Sequence, residues 1–213
     1  MGNASSKAST LTPHISQETA AQGIPHNFSA SITKRTSLTL RCILTDPASE
    51  RAFAVHVPPK GCYDVIVYDG PDAGCPVLAT ARRNPKWKHD FRINLPALTD
   101  GEDTREELLR CTTINKLKEG YWFAMQLGDR VERFEWRSTR GKQVQGQEGS
   151  GWGWKLVKGD DEEIVAIFKT HRSLGLNKIG DLTFAGSGIT GRFGRQWEIM
   201  VVTTWACVWF RHI

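Results

Sequence analysis

The sequence predicts a mainly β protein, an antiparallel barrel or sandwich of about ten short strands. Three observations carry that expectation. Runs of about four to eight residues alternate apolar with polar side chains, the period of a half-buried strand. Gly, Pro and Asp separate these runs at close spacing, as in Asp69-Gly70-Pro71 and Gly128-Asp129-Arg130. Hydrophobic residues make up 39% of the 213, and eight tryptophans add large side chains for one core.

Each element has its own warrant. Residues 1–36 are polar and aperiodic and read as a disordered tail, with the folded domain spanning 37–213. Leu38, Leu40, Cys42 and Leu44 alternate as a strand does, and Ala52 to Val57 follows as a second. Tyr63 to Tyr68 is strongly β-branched and closes at Asp69-Gly70-Pro71. Val77 to Arg83 and Phe91 to Leu95 are further strands, joined by a basic loop. Thr104-Arg105-Glu106-Glu107 has capping-box form and predicts one short helix near 104–117. Tyr121 to Leu127 and Val131 to Ser138 make a hairpin, and Trp152 to Lys158 with Ile164 to Lys169 makes another. Asp181 to Ala185 is a last short strand. The segment from Ile199 to Phe210 is apolar on every side; its β-branched content favours a strand, its length a buried helix.

Composition excludes several classes. The net charge of +5 is mildly basic and favours anionic partners. The five cysteines are scattered, with no C-x-x-C, and read as reduced thiols of a cytosolic protein. No apolar secretory leader opens the chain, so the sequons at Asn3 and Asn27 read as accidental. The apolar terminal run is shorter than the roughly 20 residues that a membrane span needs.

The N-terminus carries the sharpest motif. Met1-Gly2-Asn3-Ala4-Ser5-Ser6-Lys7 fits the M-G-x-x-x-[ST] pattern of N-myristoylation, with Gly2 the lipidated residue. A single myristoyl chain binds membrane only marginally, so a second signal is expected. Arg82, Arg83, Lys86, Trp87, Lys88 and Arg92 supply a candidate: cations beside an indole suit anionic lipid headgroups. The same composition would serve single-stranded RNA, or be a solvated loop around a buried Trp87; nucleic acid is the less favoured partner.

Other motifs fail on context. Gly186-Ser187-Gly188-Ile189-Thr190-Gly191 matches G-x-G-x-x-G, but too little chain follows to complete a dinucleotide fold, and it reads as a tight turn feeding the last segment into the core. No P-loop, nucleophile elbow or zinc-protease signature occurs, and the six histidines are isolated. The acidic run 160–163 reads as a solvated hairpin tip rather than a calcium site. No catalytic residue, cofactor or metal is expected.

Three segments resemble the tubby-like C-terminal superfamily, which includes the LURP-one-related plant proteins and the phospholipid scramblases. They are Tyr63 to Gly70 running on through Pro76 to Arg83, the aromatic meander from Tyr121-Trp122-Phe123 to Trp154-Lys155-Leu156-Val157, and the apolar segment from Trp197. Phe134 to Arg137 and Gly153 to Leu156 also look like segments of filamentous-fungal proteins. The resemblance covers roughly 37–213 and implies an antiparallel β-barrel of about 10–12 strands around a hydrophobic C-terminal helix. That helix would bury Trp197, Met200, Val201, Thr204, Trp205 and Val208. It also implies phosphoinositide or membrane binding without catalysis. The chain lacks the scramblases' proline-rich, palmitoylated character, which speaks against lipid scrambling. The expectation is a monomeric, myristoyl-anchored adaptor or regulator at the inner face of a membrane, binding anionic lipid and a possible protein partner. An inner-membrane protein-interaction module and an enzyme with its site in the barrel mouth are the alternatives.

Overall fold

The computed structural model describes residues 11–36, 39–59, 62–86, 89–98, 103–115, 118–139, 152–171 and 177–212. Twelve strands form one closed antiparallel barrel. They are β1 (Asn27–Arg35), β2 (Leu40–Thr45), β3 (Ala52–Val57), β4 (Val65–Tyr68), β5 (Val77–Arg83) and β6 (Phe91–Leu95). The second half is β7 (Arg105–Asn115), β8 (Lys118–Leu127), β9 (Arg130–Thr139), β10 (Gly153–Lys158), β11 (Ile164–Thr170) and β12 (Lys178–Phe184). Each strand pairs with its neighbours in sequence, and β1 closes the ring on β12. A short helix, α1 (Gln17–Gln22), precedes the barrel, and a 17-residue helix, α2 (Arg195–Arg211), fills it.

Alternation decides which side chains face inward. In β2 the pattern puts Leu40, Cys42 and Leu44 inside, and in β3 Phe53, Val55 and Val57. Every residue of α2 from Trp197 to Trp209 is buried, including the six expected to be. The closed ring explains why this segment is a helix. A strand inside the lumen would find no sheet edge to pair with, whereas a helix satisfies its own backbone groups. Thr203 and Thr204 hide their hydroxyls on Ile199 O and Met200 O at 2.8 and 2.7 Å.

Two expectations are corrected. Residues 105–115 form strand β7, not a helix, paired with β6 through Leu109↔Phe91 and with β8 through Cys111↔Tyr121. Without it β6 and β8 would present open edges, and closing the ring outweighs the local capping signal. The ordered part also begins well before Ser37. Residues 11–16 run along β4: Leu11 N–H donates to the Tyr63 hydroxyl, His14 N–H to Val77 O, and Ser16 N–H to Asp69 Oδ2. This strap explains why all four residues of β4 are buried. Helix α1 then packs over the barrel end where α2 begins. Ser16 caps it through Thr19 N–H, and Arg51 donates to both Gly23 O and Thr19 Oγ1.

The barrel therefore has two distinct poles. One holds α1, the start of α2 and the 3-10 turn Gly186–Ile189. That turn is the G-x-G-x-x-G stretch; a Cβ at Gly188 would lie 2.3 Å from Val165 O, so only glycine fits against β11. The other pole holds the end of α2, where His212 sits among the rings of Tyr121, Trp152 and Trp154, and the β5–β6 connection with the expected basic residues.

Candidate functional site: a basic groove on the barrel wall

Strand register brings part of the expected basic cluster together. Arg82 and Arg92 are directly opposed across β5 and β6, on the outer face because Ala81 and Ile93 beside them point inward. Arg92 pairs loosely with Glu106 at 3.5 Å. Arg83 points the other way and is committed elsewhere. Its Nε and its backbone N–H both donate to the Asp64 carboxylate at 2.7 Å. Lys86 is exposed on the connection, where its backbone N–H donates to Asn84 Oδ1 at 3.0 Å. Trp87, Lys88 and Gly2 lie outside the described residues.

Beside Arg82 and Arg92 the outer wall opens into a groove of about 470 Å³. Asn84, Asp90, Leu108, Arg110, Thr112 and Trp122 line it. Tyr121 and Phe123 point into the core, so Trp122 must face out, and it lies directly opposite Arg110 on β7. The Arg110 guanidinium sits 5.3 Å from the Trp122 ring and that of Arg133 at 4.3 Å, two cations on one indole. Asp90 is the only acid in the groove lining, and its Oδ1 accepts the Cys111 backbone N–H at 2.9 Å. Asn84 is held by its backbone bond to Asp90 O. The groove thus offers a stacked guanidinium, a hydroxyl and an amide beside two more arginines. Such a set suits a compact anion carrying hydroxyl groups.

Sequence reasoning missed Arg110 and Trp122. The inward neighbours Tyr121 and Phe123 were a signal that Trp122 faces out. Its meeting with Arg110 depends on β7 being a strand.

Two histidine–carboxylate pairs lie elsewhere. His171 Nε2 is 2.5 Å from Asp181 Oδ2 on the β11–β12 wall, with Lys178 3.3 Å from the other oxygen. Burial raises the Asp181 pKa, but the hydrogen bond with His171 and the neighbouring Lys178 ammonium outweigh it and hold the carboxyl below its usual range. His26 lies 3.5 Å from Glu198 under α1. Neither pair borders the groove. Among the described residues no group of His, Cys, Asp and Glu is placed to hold a metal ion, and no helix is long and apolar enough to cross a membrane. Comparison with protein-family models, curated proteins and solved structures returns no match for this chain.

Proposed function

We propose that this chain is a non-enzymatic, tubby-like barrel, anchored at the cytoplasmic face of a membrane by a myristoyl group on Gly2, that binds the headgroup of an anionic, phosphoinositide-like phospholipid. One observation carries the reading: the Arg110–Trp122 pair lines a groove beside Arg82 and Arg92, and that groove's own acid is turned to the backbone. The twelve-strand barrel around a buried helix supports the tubby-like comparison at the level of architecture. Arginine forks match phosphate oxygens, and the flanking indole suits the headgroup depth of a bilayer.

The test is flotation of the unacylated full chain with phosphatidylcholine vesicles, with and without phosphatidylinositol bisphosphate. Wild type should float only with the phosphoinositide, and Arg82→Glu/Arg110→Glu should weaken that binding by at least about tenfold at low salt. Equal flotation of wild type and variant, or none by wild type, overturns the reading. In cells, Gly2→Ala should move the protein from membrane to cytosol; an intact-mass spectrum of wild type without the acyl chain refutes the anchor.

A protein-docking role has its own observation. Leu98, Val131 and Ile189 are exposed at 48%, 67% and 51%, and all three belong to the pole away from the basic connection. An adaptor would use both poles, lipid at one and a protein at the other.

A further inference from the structure

The groove occupies one wall of the barrel, yet the uncompensated positive charge extends well beyond it. Lys34 and Arg35 end β1, and Arg41 lies near the start of β2, directly opposite Lys34. Arg82 and Arg83 end β5. All five are exposed, and all lie at the pole where α2 finishes. Of these, only Arg83 has an acidic partner among the described residues. Lys34 facing Arg41 across a strand pair is a like-charge arrangement that costs stability in water and that an anionic surface would relieve.

The opposite pole has the reverse balance. Its turns carry Asp72, Asp129 and the acidic run 160–163. Two of its arginines, Arg51 and Arg195, are taken up in holding α1 to Gly23 O and Ala20 O. The molecule is polarised along the barrel axis.

A second observation is independent of charge. The N-terminal strap crosses β4 from Tyr63, just before that strand, to Asp69, just after it. The chain therefore reaches the described fold at Leu11 on the side of Tyr63 and Asp64, and Asp64 is bonded to Arg83. The stretch from Gly2 to Leu11 can span at most about 30 Å when extended. An acyl chain on Gly2 and the basic rim can therefore enter one membrane together.

We propose that the barrel docks end-on against an anionic membrane, with the rim of β1, β2 and β5 as the docking surface and the pole bearing α1 turned to the cytosol. The proposal rests on the anionic-lipid reading and fixes its orientation. A flat lipid surface suits this rim better than RNA. The rim carries charge across several strands, and among the described residues no Phe, Tyr or Trp ring is exposed beside it for base stacking.

The experiment uses the full chain, unacylated, with phosphatidylcholine vesicles with and without phosphatidylserine at low salt. Lys34→Gln/Arg41→Gln should weaken binding to the acidic vesicles by about thirtyfold, and Lys34→Glu/Arg41→Glu by more. Arg130→Glu, at the far pole, should bind as wild type does. A fluorophore on Cys62, exposed at the docking pole, should be quenched by a bilayer-embedded quencher, and one on Asp129→Cys should not. If wild type binds, and the Lys34/Arg41 variants bind equally well or the Asp129→Cys label is the one quenched, the orientation is overturned while lipid binding stands. If wild type ignores the acidic vesicles, end-on docking is overturned whether or not it retains single-stranded RNA at the same salt; retention of RNA makes the rim a nucleic-acid surface, and the headgroup reading is decided separately by the phosphoinositide vesicles.

Discussion

Inside the barrel the Trp136 indole N–H donates to Thr204 Oγ1 at 3.0 Å, and that hydroxyl bonds onward to Met200 O at 2.7 Å. Thr204→Val keeps the shape but leaves a buried donor without an acceptor. It should cost about 1–3 kcal/mol, measured by urea denaturation. The Trp205 N–H is buried and already lacks a partner, so Trp205→Phe should cost less than Trp136→Phe. On the rim, burial first and the Arg41 charge second hold the His56 pKa below its ordinary 6.5. The folded value then lies below the unfolded one, so neutral His56 contributes stability above the unfolded pKa, and this is lost as pH falls through the folded value. An NMR titration should place the His56 midpoint below 6.5, and Arg41→Glu should raise it. A midpoint unmoved by that reversal would deny the pairing. Residue identities alone pointed to Arg82, Arg92 and the neighbouring basic loop. They could not pair Arg110 with Trp122, because cross-strand register is a tertiary property that no local spacing encodes.

At the scale of elements, ten of the twelve strands were legible because their inward residues are apolar and the runs either alternate, as in β2 and β3, or are β-branched and aromatic throughout, as in β4. The other two were hidden for different reasons. In β7 the inward-facing position 107 is a glutamate, satisfied at the barrel mouth by Arg105 at 2.5 Å, so the apolar period is broken there. Burial raises the pKa of that carboxyl, as expected of an acid on the inner face. In β1 only Phe28 and Ala30 are fully buried, and the strand ends Thr33-Lys34-Arg35, so its composition reads as a polar tail. The strap before it is held by a few polar contacts, with Asp69 accepting from both Ser16 N–H and Thr19 Oγ1. Asp69→Ala should loosen the strap alone. Amide exchange should quicken across 11–24 while β8 and β9 stay protected; uniform loss of protection would mean that the strap is integral to the barrel. Close approach governs the β11–β12 pair instead. A Cβ at Gly180 would fall 2.1 Å from Lys169 O, a backbone atom that cannot move without opening the ladder. Gly180→Ala should therefore cost more than the roughly 1 kcal/mol typical of a point substitution, read as a fall in denaturation midpoint.

For the whole molecule, the decisive relation is between a closed wall and the helix inside it. The ring follows chain order throughout, so each hairpin can form from local contacts, but the last closure, β1 onto β12, joins opposite ends of the chain. The wall's inner face is lined by rings such as Phe53, Phe91, Phe123, Phe134 and Phe168, which without α2 would surround an empty lumen. Phe134 and Phe184 pack on Trp197 and Phe168 packs on Trp205, so these two helix tryptophans contact the wall directly. Removing one large core side chain costs about 2–5 kcal/mol. The net stability of a domain is only about 5–15 kcal/mol. Deleting the helix removes Trp197, Met200, Val201, Trp205 and Val208 at once, well beyond what that margin can absorb. A chain ending before Trp197 should therefore show no cooperative thermal transition and should bind an apolar dye such as ANS. The single variant Val201→Asp, which sets one carboxylate in the lumen, should lower the melting temperature sharply yet leave a cooperative transition. A truncated chain that melts cooperatively would mean that the wall closes without its filling, and the helix would then be a ligand of the barrel rather than its core.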